Sequence, residues 1–305
     1  MKAPSFDGDL KIDELSRKEA GRDFGGLVAR TPRAVLYAKS IDDVRRGIEF
    51  AKREKMQVAA RGQGHTTRGQ AQVEGGLVID TRFLDRVEVE NGFAKVGAGC
   101  LWRELLRRAL LTGQTPPTLT DYLGLSVGGT LSVGGVGGQS FRHGMQTDNV
   151  EALTVVTGSG DVLECSRAEH EVLFRGVRAG LGQFGIIVDA RLKLVPAPER
   201  VRIYQLPYSD TESFLADQES KLVDGRFDYV LGSSLPRANG WSLSVEVAKY
   251  LGERDANGED LLLSGLACVR SAVERRDADF FGYATRLDAI VEQMKGSGER
   301  LAFHP

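Results

Sequence analysis

Cysteine is scarce: only Cys100, Cys165 and Cys268 occur in 305 residues, far apart and without paired spacing. That excludes a disulfide framework and a zinc knuckle and suits a reducing compartment. The four histidines, His65, His143, His170 and His304, show no spacing to one another or to acidic residues that would build a metal site. No Walker string occurs, and neither ATP hydrolysis nor acyl transfer is expected. An excess of one charge is lacking too, because 40 basic residues against 42 acidic ones leave a formal charge of −2. There is no broad positive field to draw nucleic acid or an anionic membrane. Residues 1–26 hold no apolar core of seven or more, and no later run approaches a membrane span. The expectation is a soluble cytoplasmic protein whose partner is a small molecule, with no nucleic acid, membrane or metal.

What is abundant is glycine, at 37 residues, gathered in a few stretches. The first is Arg61-Gly62-Gln63-Gly64-His65-Thr66-Thr67, directly after the strand-like Gln57-Val58-Ala59-Ala60. Glycines at 62 and 64 permit positive φ and leave room for a large anion, so successive backbone N–H groups can converge on a phosphate. Thr66 and Thr67 can add hydroxyl donors. Taken alone, the string also reads as an ordinary glycine turn between two strands. Its weight comes from a second stretch holding Gly128, Gly129, Gly134, Gly135, Gly137 and Gly138. So much glycine has an entropic cost, and the interleaved Val127, Leu131, Val133 and Val136 are too apolar for a solvated linker. Backbone passing close to a bulky planar or phosphorylated ligand would account for both features. A third string, Gly180-Leu181-Gly182-Gln183-Phe184-Gly185, matches G-x-G-x-x-G. Here a helix precedes and a strand follows, the reverse of the dinucleotide motif, so a Rossmann site is rejected.

Periodicity predicts a β-α-β opening: strand 34–37, a helix from Ile41 to about Lys55, strand 57–60, the glycine loop and strand 77–79. Ser40 with Asp43 makes a variant of the capping box. Strand 93–97, helix 101–111, a hairpin over 151–165, helix 169–177 and strand 186–195 follow. Pro196-Ala197-Pro198 is the best boundary. Beyond it, strands 202–206, 229–233 and 242–248 alternate with helices 211–222 and 287–294, the pattern of an α+β cap.

Residues 61–70, Thr120-Asp121-Tyr122-Leu123, residues 125–132, residues 137–144 and residues 180–187 stand in a fixed order. Together they resemble the FAD domain of cytokinin dehydrogenases, within the flavoproteins similar to vanillyl-alcohol oxidase and p-cresol methylhydroxylase (PCMH). Tyr208-Ser209-Asp210 and Ala216-Asp217-Gln218-Glu219 extend the similarity further. The resemblance implies an α+β protein: a two-subdomain PCMH-type FAD-binding fold over residues 1–198, then a partial α+β substrate domain over 199–305. It implies FAD as cofactor, contacted by Gly62, Gln63, Gly64, His65, Thr66, Gln70, Asp121, Ser126, Ser132, Val136 and Ile187. His65 matches the histidine that forms an 8α bond to the flavin. The other option is a histidine that hydrogen-bonds near the pyrophosphate, since some relatives hold FAD without a covalent link.

Asp121 matches the family's catalytic aspartate, which accepts a hydrogen bond or proton from the substrate nitrogen while hydride leaves the adjacent carbon. An aspartate in such a loop can also be an N-cap or an Asx turn. The implied activity is oxidation of a small amine or alcohol by hydride transfer to flavin N5, with oxygen or a quinone as acceptor. A flavin-binding protein without turnover, and a sugar or aldonolactone oxidase of the same superfamily, are the alternatives. Two departures bear on this. Leu231 stands where many members place an adenine-binding glutamate, which leaves the substrate open. The chain also stops at Phe303-His304-Pro305, where family members continue, so a truncated substrate domain is expected.

Overall fold

The computed structural model describes residues 4–238, 240–252 and 259–297. His304 and the end of the chain lie outside them. β1 (Asp9–Lys11), α1 (Glu14–Ala20), β2 (Ala34–Tyr37), α2 (Ile41–Arg53), β3 (Val58–Arg61) and β4 (Leu77–Asp80) open the chain. Their sheet runs β1-β2-β4-β3, with β2, β4 and β3 parallel. All four residues of β4 are buried, as a parallel strand covered on both faces requires. Ser40 caps α2, its hydroxyl accepting from the Asp43 N–H at 3.1 Å. The reciprocal half of the expected capping box is missing. The buried Asp43 carboxylate accepts instead from the N–H groups of Asp7, Gly8 and Lys39 at 2.8, 2.9 and 2.9 Å, which ties the chain entering β1 to the helix.

A second, antiparallel sheet is ordered β5-β6-β10-β8-β9, from β5 (Val87–Glu90), β6 (Phe93–Gly97), β8 (Val150–Val156), β9 (Val162–Ser166) and β10 (Ile186–Lys193). Between these run α3 (Trp102–Leu110), β7 (Gln114–Thr115), α4 (Val127–Leu131), α5 (Ser140–His143) and α6 (Glu171–Val177), and β11 (Val195–Pro196) pairs back onto β7. β12 (Arg200–Tyr208), β13 (Tyr229–Arg237), β14 (Gly240–Leu251) and β15 (Glu274–Asp279) form a third sheet, β13-β14-β12-β15. It is accompanied by α7 (Thr211–Ala216), α8 (Glu259–Leu262), α9 (Phe280–Ala284) and α10 (Asp288–Ser297).

Several elements depart from the sequence expectation. β1 and α1 fold from the polar entry segment, α1 being capped by the Asp13 carboxylate. β15 is almost wholly charged, and it holds as an exposed edge strand through its antiparallel ladder with β12, where Asp277 also pairs with Arg202 at 3.0 Å. The expected helix 211–222 is α-helical only to Ala216 and widens into a π turn over Asp217–Lys221. There the buried Asp217 carboxylate accepts from the Tyr208 hydroxyl at 3.1 Å and the Ala267 N–H at 2.7 Å. Among the described residues no helix is long and apolar enough to cross a membrane.

Two cores hold the sheets against one another. One joins Leu36, Ile48, Leu77 and Ile79 of the first sheet and α2 to Val156, Ile186 and Val188 of the second. The larger joins the second sheet, α3 and α4 to Val201, Ile203, Tyr229 and Ala248 of the third. Trp102 sits in the larger one, its indole N–H donating to the Thr130 hydroxyl at 2.7 Å and so fixing α4 to α3. Thr130→Val should leave that buried N–H without an acceptor and cost about 1–3 kcal/mol in urea unfolding. Thr130→Ser, which keeps the hydroxyl, should lose only about 1 kcal/mol for its missing methyl.

Candidate functional site

Parallel sheets place ligand sites beyond the carboxyl ends of their strands. The glycine loop leaves the sheet at such a point, after Arg61 of β3, which lies opposite Asp80 of β4. β3 is also the edge strand, and alongside it opens a cleft of about 890 Å³. Residues 56–67 and residues from 125–133 and 181–187 are among its lining. Gly62, Gln63, Gly64, His65, Thr66, Gln70, Ser126, Ser132 and Ile187, all expected from the sequence, lie in that lining. Val136 and Asp121 do not. Val136 is 65% exposed, and Asp121 lies in a second, much smaller hollow with Tyr229 and Arg286.

The loop is shaped by its own framework. Gly64 adopts φ +64°, and a Cβ there would lie 2.2 Å from the Arg61 guanidinium, which is folded beneath the loop at 8% exposure. Burial lowers the Arg61 pKa from its ordinary value. A strap from the entry segment, absent from the sequence reading, closes the other side. Phe24 and Gly25 donate N–H bonds to the carbonyls of Gly64 and Thr66 at 3.0 and 3.1 Å. The Asp23 carboxylate accepts from the Thr66 hydroxyl at 2.8 Å and the Gly69 N–H at 2.7 Å. The Thr66 hydroxyl hydrogen is therefore directed at Asp23, not offered to a phosphate. His65 stacks on Phe24, with ring centroids 4.0 Å apart and planes 17° apart, and its centroid is 5.2 Å from that of Tyr122.

The second glycine stretch meets the first: a Cβ on Gly62 would lie 2.0 Å from the Ser126 Oγ. Yet only Gly128 and Gly129 of its six glycines line the cleft. The rest answer to the protein itself, which corrects the expectation of a ligand along the whole stretch. A Cβ on Gly135 would strike the Gln146 side chain at 2.1 Å, on Gly137 the Leu119 carbonyl at 1.8 Å, and on Gly138 the Tyr229 ring at 2.4 Å. Gly124-Leu125-Ser126-Val127-Gly128 has the spacing of a nucleophile elbow. No strand feeds it; a lone bridge between Leu101 and Ser126 precedes the five-residue α4, so the strand-turn-helix of an elbow is missing. The Gly180–Gly185 loop is no Rossmann turn, but it reaches the cleft through Gly182 and Gly185. It is tied to α4 by N–H bonds from Ala179 to the Leu131 carbonyl and from Leu181 to the Ser132 carbonyl, at 2.9 and 2.8 Å.

Asp121 belongs to a polar network that the sequence reading missed. The Tyr229 hydroxyl donates to Asp121 Oδ1 at 2.6 Å and accepts from Arg286 at 2.8 Å. Arg286 pairs with Glu246 at 2.6 Å, and Gln205 donates to the same carboxylate, also at 2.6 Å. Burial pushes the Tyr229 phenol well above its ordinary range, with Arg286 opposing and Asp121 adding, so Tyr229 stays a donor. The chain after Asp121 is held by α10, since Asp288 accepts from the Leu123 N–H at 2.9 Å and from Arg103 at 2.8 Å, and Tyr122 bonds Glu292. Leu231 is partly buried against the larger core.

A family profile described as FAD binding domain matches residues 32–166. An uncharacterized oxidoreductase, ORF5 of the fasciation locus of Rhodococcoides fascians, is 40% identical over 300 residues, covering 98% of this chain and 68% of that protein. Cytokinin dehydrogenase 7 of Oryza sativa subsp. japonica is 44% identical over 243 residues, 75% of this chain and 46% of its own length. This chain thus spans about two thirds of the first relative and about half of the second. Among solved structures, glucooligosaccharide oxidase from Acremonium strictum, with its 6-S-cysteinyl, 8α-N1-histidyl FAD, is alike in fold. Its TM-score is 0.75 at 18% identity, over 93% of this chain and 61% of that one.

The contact between the two glycine stretches can be tested on stability alone. Gly62→Ala should destabilise by driving its methyl into Ser126, and Ser126→Gly removes both atoms that the methyl would strike. In urea unfolding the double variant should recover about 1–3 kcal/mol relative to the sum of the single ones.

Proposed function

The chain belongs to the PCMH-type FAD oxidoreductases, close to the cytokinin dehydrogenases, and from that membership we propose that it oxidises a small amine or alcohol at the carbon next to nitrogen or oxygen. The observation that carries the reading is the convergence of Gly62–Thr66 and Ser126–Gly129 on one cleft of about 890 Å³, near the upper end of ligand pockets and suited to a dinucleotide. The residues present fit FAD. Backbone N–H groups of the first loop and of Gly129 would hold the pyrophosphate, with Gln70, Ser132 and Ile187 lining the remainder. Val136 and Asp121 lie outside that lining and enter the proposed set from the resemblance alone.

When bound, FAD supplies a two-electron acceptor that oxygen or a quinone restores. His65, inside the lining, is the residue for an 8α attachment. None of the three cysteines lines the cleft, and burial pushes the thiols of Cys100 and Cys165 up to about 12 and about 11. A cysteinyl link like that of glucooligosaccharide oxidase therefore has no donor here.

Asp121 accepts the proton of the substrate N–H or O–H, and Tyr229 fixes the carboxylate rotamer through Oδ1. An amine is favoured over a sugar because the relatives at 40–44% identity include a cytokinin dehydrogenase, whereas the oligosaccharide oxidase shares only the fold. Leu231 offers no acceptor to a purine edge, which favours tolerance of other amines. Residues 1–198 form the cofactor unit and residues 199–305 the substrate-side unit. Three free buried thiols fit the cytoplasm.

On acid precipitation the flavin should stay with the pellet, and the intact mass should be that of the chain plus one FAD; His65→Ala should release all of its flavin. Asp121→Asn should keep its FAD content but slow anaerobic bleaching of the flavin by isopentenyladenine about 10²–10⁴-fold. Equal bleaching rates would remove the role of Asp121. No bleaching of the unaltered protein by any amine tried would favour a flavin-binding protein without turnover.

A further inference from the structure

The strap Asp23-Phe24-Gly25 has no counterpart in the cofactor set, and neither Asp23 nor Phe24 lines the cleft. Its contacts gather around one side chain. The two N–H bonds from Phe24 and Gly25 land on Gly64 and Thr66, the residues on either side of His65. Asp23 anchors the strap a second time through Thr66, Gly69 and, at 3.1 Å, the N–H of Gly26. Gly25 lets strap and loop touch, because a Cβ there would lie 2.4 Å from the Thr67 carbonyl oxygen. The product of this pinning is a nearly parallel stack of Phe24 on the His65 imidazole, 4.0 Å between centroids, with the Tyr122 ring 5.2 Å away and tilted by 33°.

We infer that Phe24 is a positioning residue for covalent flavin attachment: its ring sets the plane of the His65 imidazole so that a ring nitrogen faces the 8α carbon. The inference rests on the attachment proposed above. In that step a nitrogen of His65 bonds to the 8α carbon, while one C–H bond of the methyl group and the imidazole N–H break. Two protons leave to solvent, and two electrons pass to the flavin ring, from which dioxygen removes them as hydrogen peroxide. Bond formation of this kind depends steeply on the approach of the two atoms, and a displacement near 1 Å can cost about 10²-fold in rate. Phe24 touches His65 without lining the cleft, so it can govern attachment while leaving binding alone.

The test uses the full chain incubated with FAD, with flavin measured in the acid-precipitated pellet and in the supernatant, and with intact mass as a second readout. Phe24→Leu keeps apolar bulk without an aromatic face. It should form the covalent adduct on the order of tenfold more slowly, with total flavin close to that of the unaltered protein. Phe24→Tyr should restore the original rate. A Phe24→Leu protein that attaches flavin at the original rate would overturn the inference while leaving covalent attachment standing. Loss of total flavin from Phe24→Leu would make Phe24 part of the binding site and would also overturn it. An unaltered protein whose flavin all enters the supernatant would instead sink the attachment reading on which the inference rests.

Discussion

The structure turns on a backbone approach that no side chain could survive. Gly62 comes so close to Ser126 that even a methyl group would overlap its hydroxyl. Neither segment sets that spacing. Gly62 follows the last paired residue of β3, so the parallel register of Arg61 against Asp80 fixes where the loop begins. Ser126 opens α4, which is pinned by N–H bonds from Val127 to the Cys100 carbonyl and from Gly128 to the Ala98 carbonyl, both 2.8 Å. Cleft width is thus a property of two sheets packed through Val156, Ile186 and Val188. Loops held this way are pre-organised, and binding need not order them first.

Glycine divides its work along the chain. Near the cleft it clears room for a ligand and for the opposing segment; further on it clears room for protein. At Gly138 the backbone lies against the Tyr229 ring, and the Val230 N–H bonds the Gly138 carbonyl at 3.0 Å. The same stretch therefore borders the cofactor cleft at one end and seats the third sheet at the other. The cleft and the third sheet are joined by a few residues of backbone.

Local signals in the sequence located the cleft well and its support poorly. The strand run before Arg61 and the glycine spacing after it were sufficient to place the loop, because both are short-range. Ser40 as a cap was legible for the same reason, whereas the Asp43 carboxylate turned to Asp7 and Gly8, partners no spacing rule connects. Phe24 and Asp23 lie some forty residues before the loop they hold, in a stretch with no periodicity, so nothing marked them. β15 was hidden by its charges, which suit an exposed edge and contradict the usual strand composition. Tyr229, Arg286 and Glu246 become a group only when β13, β14 and the turn after α9 are brought together, and composition carries no trace of that.

The buried pair of Arg286 and Glu246 shows why the third sheet matters to the carboxylate at Asp121. Taking two charges out of water is costly, and well-packed apolar residues would commonly be as stable or more so. Stability alone does not account for the pair. What an apolar replacement could not do is present a donor to the Tyr229 oxygen. With Arg286 donating to that oxygen at 2.8 Å, the hydroxyl hydrogen of Tyr229 is left to point at Asp121 Oδ1. The direction of one phenol hydrogen is decided by a guanidinium that never meets the carboxylate, and the guanidinium is held in turn by Glu246 on β14. A residue in the loop beside the cofactor cleft thus takes its orientation from a sheet that begins after residue 199. Folding the first two sheets correctly would leave Asp121 present but unaimed.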